Sequence, residues 1–457
     1  MSLDKARPQT PARAGHGTDR TGEAREVGLR EEAASAGSET ERSTVHPSME
    51  AVVHRGNLLA AYRRVKKNKG AAGVDGMSVD QLESHLRAHW PRLREQLLAG
   101  AYRPQPVRRC AIPKADGSQR ELGIPTVVDR FIQQAVLQVL QPAFDPTFSP
   151  RSYGFRPGRS AHDAILAAQR DVEDGRTWVV DVDLERFFDR VNHDILMGRL
   201  ARRIDDRRLL KLIREFLSAG LMADGVVIDR DEGTPQGGPL SPLLANVLLD
   251  EVDQELEARG HAFVRYADDC NVYVRSERAA HRVMDALRRQ YAGLRLRINE
   301  SKSAVAPVWG RKFLGYRLER RRDGGTRLAI ADRAEQKLED EIRRRTSRHR
   351  GVSVGRVVQE LTAYLRGWKQ YFRLAGARGY FTKIDMWIRH RLRMLILRQW
   401  KRRGTIYYAL KRRGVVPREA WIAANFNRSW WKRSQLALNR ALPNAYFDGL
   451  GLFRLAD

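Results

Sequence analysis

The sequence predicts an α+β protein followed by a helical domain, and three observations carry that prediction. From about Met49 to residue 325, strand-like and helix-like segments alternate; beyond residue 330 the apolar spacing becomes that of long helices; a polar stretch precedes both. At 457 residues the chain exceeds one ordinary core, so two or three compact units are expected.

Residues 1–48 are rich in Gly, Ala, Ser, Thr, Glu and Arg and almost lack large apolar side chains. Burial there cannot offset the entropy of ordering, so a disordered leader is expected. Further on, Ile132, Ala135, Val136, Val139 and Leu140 follow helical spacing, and Ser160 opens a capping box with Asp163. Trp178-Val179-Val180-Asp181-Val182-Asp183 reads as a strand, and Ser241-Pro242 as an N-cap and first helical residue. Phe263 to Tyr266 and Asn271 to Val274 are β-rich runs joined by Ala267-Asp268-Asp269-Cys270, the outline of a hairpin with two carboxylates at its tip. In the helical part, Leu361, Tyr364, Leu365, Trp368 and Phe372 share one face, as do Ile384, Ile388, Leu392 and Leu395. Arg343, Arg344, Arg345, Arg348, Arg350, Arg389, Arg391, Arg393, Lys401, Arg402 and Arg403 are expected on the solvated faces opposite. From about Gly404 the tail mixes Lys411-Arg412-Arg413 with Trp421, Trp430, Trp431 and Lys432.

Charge narrows the function classes. Lys and Arg number 83 against 55 Asp and Glu, a net +28. That excess suits a protein replacing the counterions of a phosphate backbone and is hard to reconcile with a small-molecule enzyme. A genome that favours arginine codons is the plainer source of the same charge. No apolar run is long enough to cross a bilayer, and the start is unlike a secretory signal. Cys110 and Cys270 are too few for a four-thiolate zinc site, so a cytoplasmic, largely reduced protein without structural zinc is expected.

The chemistry concentrates in carboxylates. Asp268 and Asp269 lie between apolar runs, and concentrated negative charge facing a recess is most easily tolerated beside a divalent cation. An exposed Asp-Asp turn is the ordinary alternative. Asp181 and Asp183 are two apart and share one strand face. One of them beside the hairpin would complete an oxygen-only site suited to Mg²⁺, and two such ions could activate a primer hydroxyl and stabilise departing pyrophosphate.

Tyr266-Ala267-Asp268-Asp269, preceded by Asp183-Leu184-Glu185-Arg186-Phe187-Phe188-Asp189, resembles the palm of a reverse transcriptase, and the bacterial group II intron branch fits best. The resemblance implies a right-hand polymerase, fingers and palm built on antiparallel sheet and then an α-helical thumb, with Asp183, Asp268 and Asp269 as catalytic ligands of two Mg²⁺ ions. Asp183 is chosen over Asp181 because the family places an aromatic wall five residues on, here Phe188. Further blocks arrive in family order. Asn68-Lys69-Gly70-Ala71-Ala72-Gly73-Val74-Asp75-Gly76 resembles the N-terminal block. Ile112-Pro113-Lys114 through Arg120-Glu121-Leu122-Gly123-Ile124-Pro125 resembles the fingers, implying that Lys114 and Arg120 grip the incoming triphosphate. Ser152-Tyr153-Gly154-Phe155-Arg156 resembles a template-contacting block, and Gly233-Thr234-Pro235-Gln236-Gly237 a loop that places Gln236 against the nucleotide. Lys302 would approach the active site, and Phe313-Leu314-Gly315-Tyr316 resembles the primer grip, with Gly315 and Tyr316 at the primer.

Residues 326–403 resemble the maturase-specific domain, most clearly over Leu361 to Phe372, implying RNA contacts from Arg366, Lys369, Arg391 and Lys401. Expected boundaries are therefore 1–48 leader, 49–325 fingers and palm, 326–403 thumb and maturase domain, and 404–457 a basic extension able to meet nucleic acid. The implied partners are intron RNA, an RNA template with DNA primer or target DNA, and deoxynucleotides, with no membrane and a homodimer compatible. Many relatives end in an HNH nuclease with paired cysteine ligands; none follow here, so a member of the kind lacking that domain is expected, with its primer taken from elsewhere or from RNA-catalysed cleavage. A splicing-only maturase and a domesticated reverse transcriptase in defence or repair are the alternatives.

Overall fold

The computed structural model describes residues 46–113, 119–223, 226–228, 232–234, 237–426, 431 and 437–457. Most of the expected leader, with Lys114, Gln236, Trp430 and Lys432, lies outside the described residues. The chain divides into two compact units that do not follow chain order: residues up to Thr147 with Phe188–Leu248, and Phe148–Phe187 with Leu249–Asp457.

The first unit mixes helices Arg55–Asn68, Leu82–Leu98 and Val127–Phe144 with a four-stranded sheet. Its strand order is Gln119–Ile124, Val107–Pro113, Leu221–Ala223, Val226–Ile228. The first two strands are antiparallel neighbours, with Ile112 opposite Arg120 and Pro113 opposite Gln119. Ile132, Ala135, Val136 and Leu140 are buried, as their spacing predicts, and Val139 is half-buried. The Gly-Ala-Ala-Gly block has a steric reason: a Cβ on Gly73 would lie 2.6 Å from Thr126 Cα, where Thr126 caps Val127–Phe144.

Chain entry is pinned by one carboxylate. Asp206 caps helix Arg207–Ser218 through Arg208 and Leu209 amides, and it accepts the Met49 amide at 2.8 Å. Burial pushes the Asp206 carboxyl up, but its bonds from Arg208, Met49 and Leu209 outweigh burial and hold it at about 2. A depressed carboxyl stabilises the fold above its unfolded value of about 3.8 and loses that contribution as pH falls toward 2. Asp206→Ala is therefore expected to cost about 1–2 kcal/mol in urea unfolding at pH 7. The difference from wild type should shrink steadily between pH 4 and pH 2.

The second unit holds a four-stranded antiparallel sheet in the order Ala262–Tyr266, Asp269–Val274, Trp178–Val182, Ala304–Pro307. Cys270 to Val274 are buried without interruption, so the central strand is covered on both faces. Helices Ala161–Glu173 and Glu277–Gly293 pack against it, the first opened by the predicted Ser160–Asp163 capping box. The helix predicted at Ser241-Pro242 starts at Ser241 itself and runs to Ala258, its part from Leu249 belonging to this unit. A three-stranded antiparallel sheet, Lys312–Phe313, Tyr316–Arg320 and Thr326–Ile330, follows.

Helices Asp332–Arg345, Val354–Tyr371 and Arg378–Trp400 complete this unit with shorter C-terminal helices. Leu361, Leu365, Phe372, Ile384, Ile388, Leu392 and Leu395 enter one core that reaches from Tyr153 to Leu455. The basic faces need correction. Arg389 and Arg393, expected in solvent, are each 8% exposed. Residues beyond 404 fold back over helix Arg378–Trp400: Arg393 donates to Leu442 O at 2.9 Å and lies over the Phe447 ring, while Asp385 accepts the Leu455 and Ala456 amides at 3.0 Å. Hydrophobic periodicity shows one face of a helix to be buried, but not whether a distant segment covers the other. No helix among the described residues is long and apolar enough to cross a membrane.

Candidate active site

The predicted acidic hairpin forms, with longer strands than expected. Tyr266 pairs with Asp269, leaving Ala267 and Asp268 as the two-residue connection. Ala267 takes a φ of 59°, a left-handed conformation suited to the tight turn. On the other side Val182 pairs with Cys270 and Asp181 with Asn271. Asp183 directly follows Val182 and Asp269 directly precedes Cys270, so the two carboxylates flank the last pair of this register, and the Asp183 charge acts on Asp269. The three predicted carboxylates are thus gathered at one end of the sheet.

Asp183 is held by its own backbone. Its N–H donates to Ser303 Oγ at 3.0 Å, and its carbonyl accepts from the Asn299 amide at 2.8 Å and the Ser303 hydroxyl at 3.2 Å. The segment carrying Lys302 is therefore a brace, and Lys302 Nζ lies 3.8 Å from Asp183 Oδ1. Asp181 is engaged differently, in an ion pair with Arg311, and the Asn271 amide in its better orientation donates to it at 3.0 Å.

Asp269 is solvent-accessible yet densely surrounded. Burial, reinforced by the charges of Asp268, Asp183 and Asp181, pushes its carboxyl up to about 7. The oxygen-only donor set and this mutual repulsion fit a hard divalent cation. Among the described residues no three His, Cys, Asp or Glu side chains already form a cage. Mg²⁺ does not require one, because it keeps waters and takes one or two carboxylates plus substrate phosphate.

Two supports beneath the turn have no signal in the acidic motif itself. Arg265, 0% exposed, gives Asp253 of helix Ser241–Ala258 contacts of 2.5–2.8 Å and donates to Ala267 O at 2.8 Å. One guanidinium thus ties a helix to the left-handed residue of the turn. Gly154 supplies the second support. A Cβ there would lie 2.1 Å from Ala267 N, nearer than any side chain can sit. The Ser-Tyr-Gly-Phe block is in direct backbone contact with the acidic turn, and its outer strand edge is covered where Tyr153 N donates to Arg265 O at 2.9 Å. Gly154→Ala is expected to displace the turn and slow primer extension about 10²-fold. Single-nucleotide incorporation by the folded variant checks it.

Residues 112–318 match the reverse transcriptase (RNA-dependent DNA polymerase) family, and residues 335–414 the group II intron, maturase-specific domain. Protein YkfC of Escherichia coli (strain K12) is 36% identical over 310 residues, 58% of this chain and 81% of that protein. Group II intron-encoded protein LtrA of Lactococcus lactis subsp. cremoris is 39% identical over 195 residues, 42% of this chain and 32% of LtrA. The chain belongs to the group II intron reverse transcriptase and maturase family. It is an RNA-directed DNA polymerase by class, carrying the domain pair for reverse transcription and splicing assistance. Reverse transcriptase domains work with divalent metal ions.

Within the reverse transcriptase domain, the remaining predicted residues fall in distinct places. Arg120 lies on strand Gln119–Ile124, in the same unit as Phe188. Phe188 is half-buried in the short helical turn Phe187–Asp189, and its carbonyl accepts the Thr234 amide at 2.7 Å. A Cβ on Gly233 would lie 3.0 Å from Asp189 O. Gly233 and Thr234 are thereby anchored beside Phe188 and Asp189; Gln236 lies outside the described residues. Arg156 donates to Ser149 O at 2.6 Å and Ser152 O at 3.0 Å, clamping the loop that carries Gly154. Gly315, with φ 81°, and Leu314, with φ 49°, connect strands in which Phe313 pairs with Tyr316; Tyr316, expected at the primer, is instead 1% exposed, its ring taken into the core, which leaves Gly315 as the accessible residue of the pair.

In the maturase-specific domain the four predicted RNA contacts separate. Lys369 donates to Leu455 O at 2.5 Å and lies over the Phe381 ring. Arg391 donates to Thr346 Oγ1 at 2.5 Å and stacks on Trp387. Both serve packing of the domain. Arg366 and Lys401 are exposed.

Proposed function

We propose that this reverse transcriptase copies its intron RNA into DNA at Asp183, Asp268 and Asp269, and that these carboxylates hold two Mg²⁺ ions. When bound, the ions supply activation of the primer 3′-hydroxyl and charge neutralisation at the departing pyrophosphate. The protein's share is pre-organisation. The brace at Ser303 and Asn299 orients Asp183, and Arg265 and Gly154 fix the turn that presents Asp268 and Asp269. Lys302 offsets part of the negative charge at Asp183.

Lys114, Arg120 and Gln236 bind the incoming deoxynucleotide, and Phe188 walls off its 2′ position. Arg156 shapes the template-contacting loop, and Gly315 meets the primer while the buried Tyr316 supports it from the core. Arg366 and Lys401, exposed on the maturase-specific domain, meet intron RNA and assist splicing. The low cysteine count suits the bacterial cytoplasm.

The observation that supports this reading is the pairing of Val182 with Cys270, whose chain neighbours Asp183 and Asp269 interact through their charges. A DNA primer annealed to an RNA template should be extended with deoxynucleotides and Mg²⁺, and absence of DNA product overturns the polymerase half. Splicing of the parent intron at low Mg²⁺ should depend on the protein; equal splicing without it removes the maturase half.

A further inference from the structure

The maturase-specific domain reaches back into the reverse transcriptase domain at the end of helix Val354–Tyr371. Tyr371 is the last residue of helix Val354–Tyr371, and its hydroxyl donates to Leu314 O at 2.9 Å. Its backbone carbonyl accepts from the Tyr316 hydroxyl and from His162 Nε2, the latter at 2.6 Å. Tyr371 therefore holds the Leu314-Gly315 connection from both sides, at Leu314 and at Tyr316.

That connection needs holding. Leu314 and Gly315 both have positive φ, 49° and 81°, as a tight two-residue turn demands. Glycine adopts this at no steric cost, but leucine does not, and the left-handed region is uncommon for a bulky residue. Local sequence alone thus disfavours the observed turn, and surrounding contacts must select it. The neighbouring contacts come from the same helix end. Phe372 is 3.3 Å from where a Gly315 Cβ would be, and Tyr316 meets Phe372 with ring centroids 5.2 Å apart. Gly315 O also accepts the Ala331 amide at 3.0 Å, fixing the following strand edge.

We propose that Tyr371 is a positioning residue for DNA synthesis: the maturase-specific helix sets the shape of the primer-contacting turn through the Tyr371 hydroxyl. The inference rests on the reading of Gly315 as a primer contact. The Tyr371 hydroxyl is then the tie that sets Leu314, beside the Tyr316 bond and the Phe372 packing that hold the rest of the turn.

Tyr371→Phe tests this, because it keeps the ring and the backbone carbonyl while removing the bond to Leu314. Steady-state extension of a DNA primer on an RNA template should show the KM for primer–template raised roughly five- to tenfold. The KM for deoxynucleotide and the thermal midpoint should remain at wild-type values. An unchanged primer–template KM overturns the proposal, and so does a uniform fall in activity that tracks a loss of folded protein. Tyr316→Phe, which removes the second tie, should raise the same KM; if Tyr371→Phe alters only deoxynucleotide KM, the positioning role is wrong. Wild-type protein that extends no primer would instead refute the polymerase reading itself, a result separable from these.

Discussion

Asp268→Ala combined with Asp269→Ala is expected to reduce DNA synthesis on an RNA template by about 10³-fold or more, since it strips the donors from the reacting centre. The same variant should be no less resistant to urea than wild type. Burial and the charges of Asp268, Asp183 and Asp181 push the Asp269 carboxyl up to about 7, so its ionised form opposes folding near neutral pH. Removing it relieves repulsion among groups gathered for chemistry. Activity and stability therefore move in opposite directions, as expected where a strained charge cluster serves function. Wild-type rates of extension would refute the assignment of these carboxylates. Lost activity together with marked destabilisation would mean that the pair is structural.

The second large effect concerns Arg265. Arg265→Met leaves Asp253 buried and uncompensated and is expected to cost about 3–5 kcal/mol in denaturant unfolding. Arg265→Met with Asp253→Leu removes both charges and should recover stability to within about 1 kcal/mol of wild type. Primer extension should not recover in the double variant, because Ala267 O still lacks the donor that holds the left-handed turn. The buried pair would thereby be shown to position the acidic turn, beyond any contribution to folding. Full recovery of both properties would reduce it to a packing feature.

Several elements of the site were legible because their causes are local. β-rich runs on both sides of Ala267-Asp268-Asp269-Cys270 define a hairpin, and Ser160 with Asp163 defines a helix start. Helical faces at Leu361 and Ile384 were equally plain, since period 3.6 is imposed by backbone geometry. Less legible were partners distant in the chain. Arg265 read as one charged residue in a strand, and nothing nearby pointed to Asp253 or to the Ala267 carbonyl. Gly154 read as one residue of a Gly-containing loop, whereas its contact lies more than a hundred positions away at Ala267.

By itself, the sequence determined the reaction class and the local elements that present its carboxylates, because residue type and short-range periodicity act over a few positions. Tertiary structure alone decided that Arg311 engages Asp181, that Arg389 and Arg393 are buried, that Lys369 is tied to Leu455, and that Tyr371 holds the Leu314 turn. Those outcomes depend on which segments meet after folding. Burial patterns record that a surface is covered, and only the folded chain specifies what covers it.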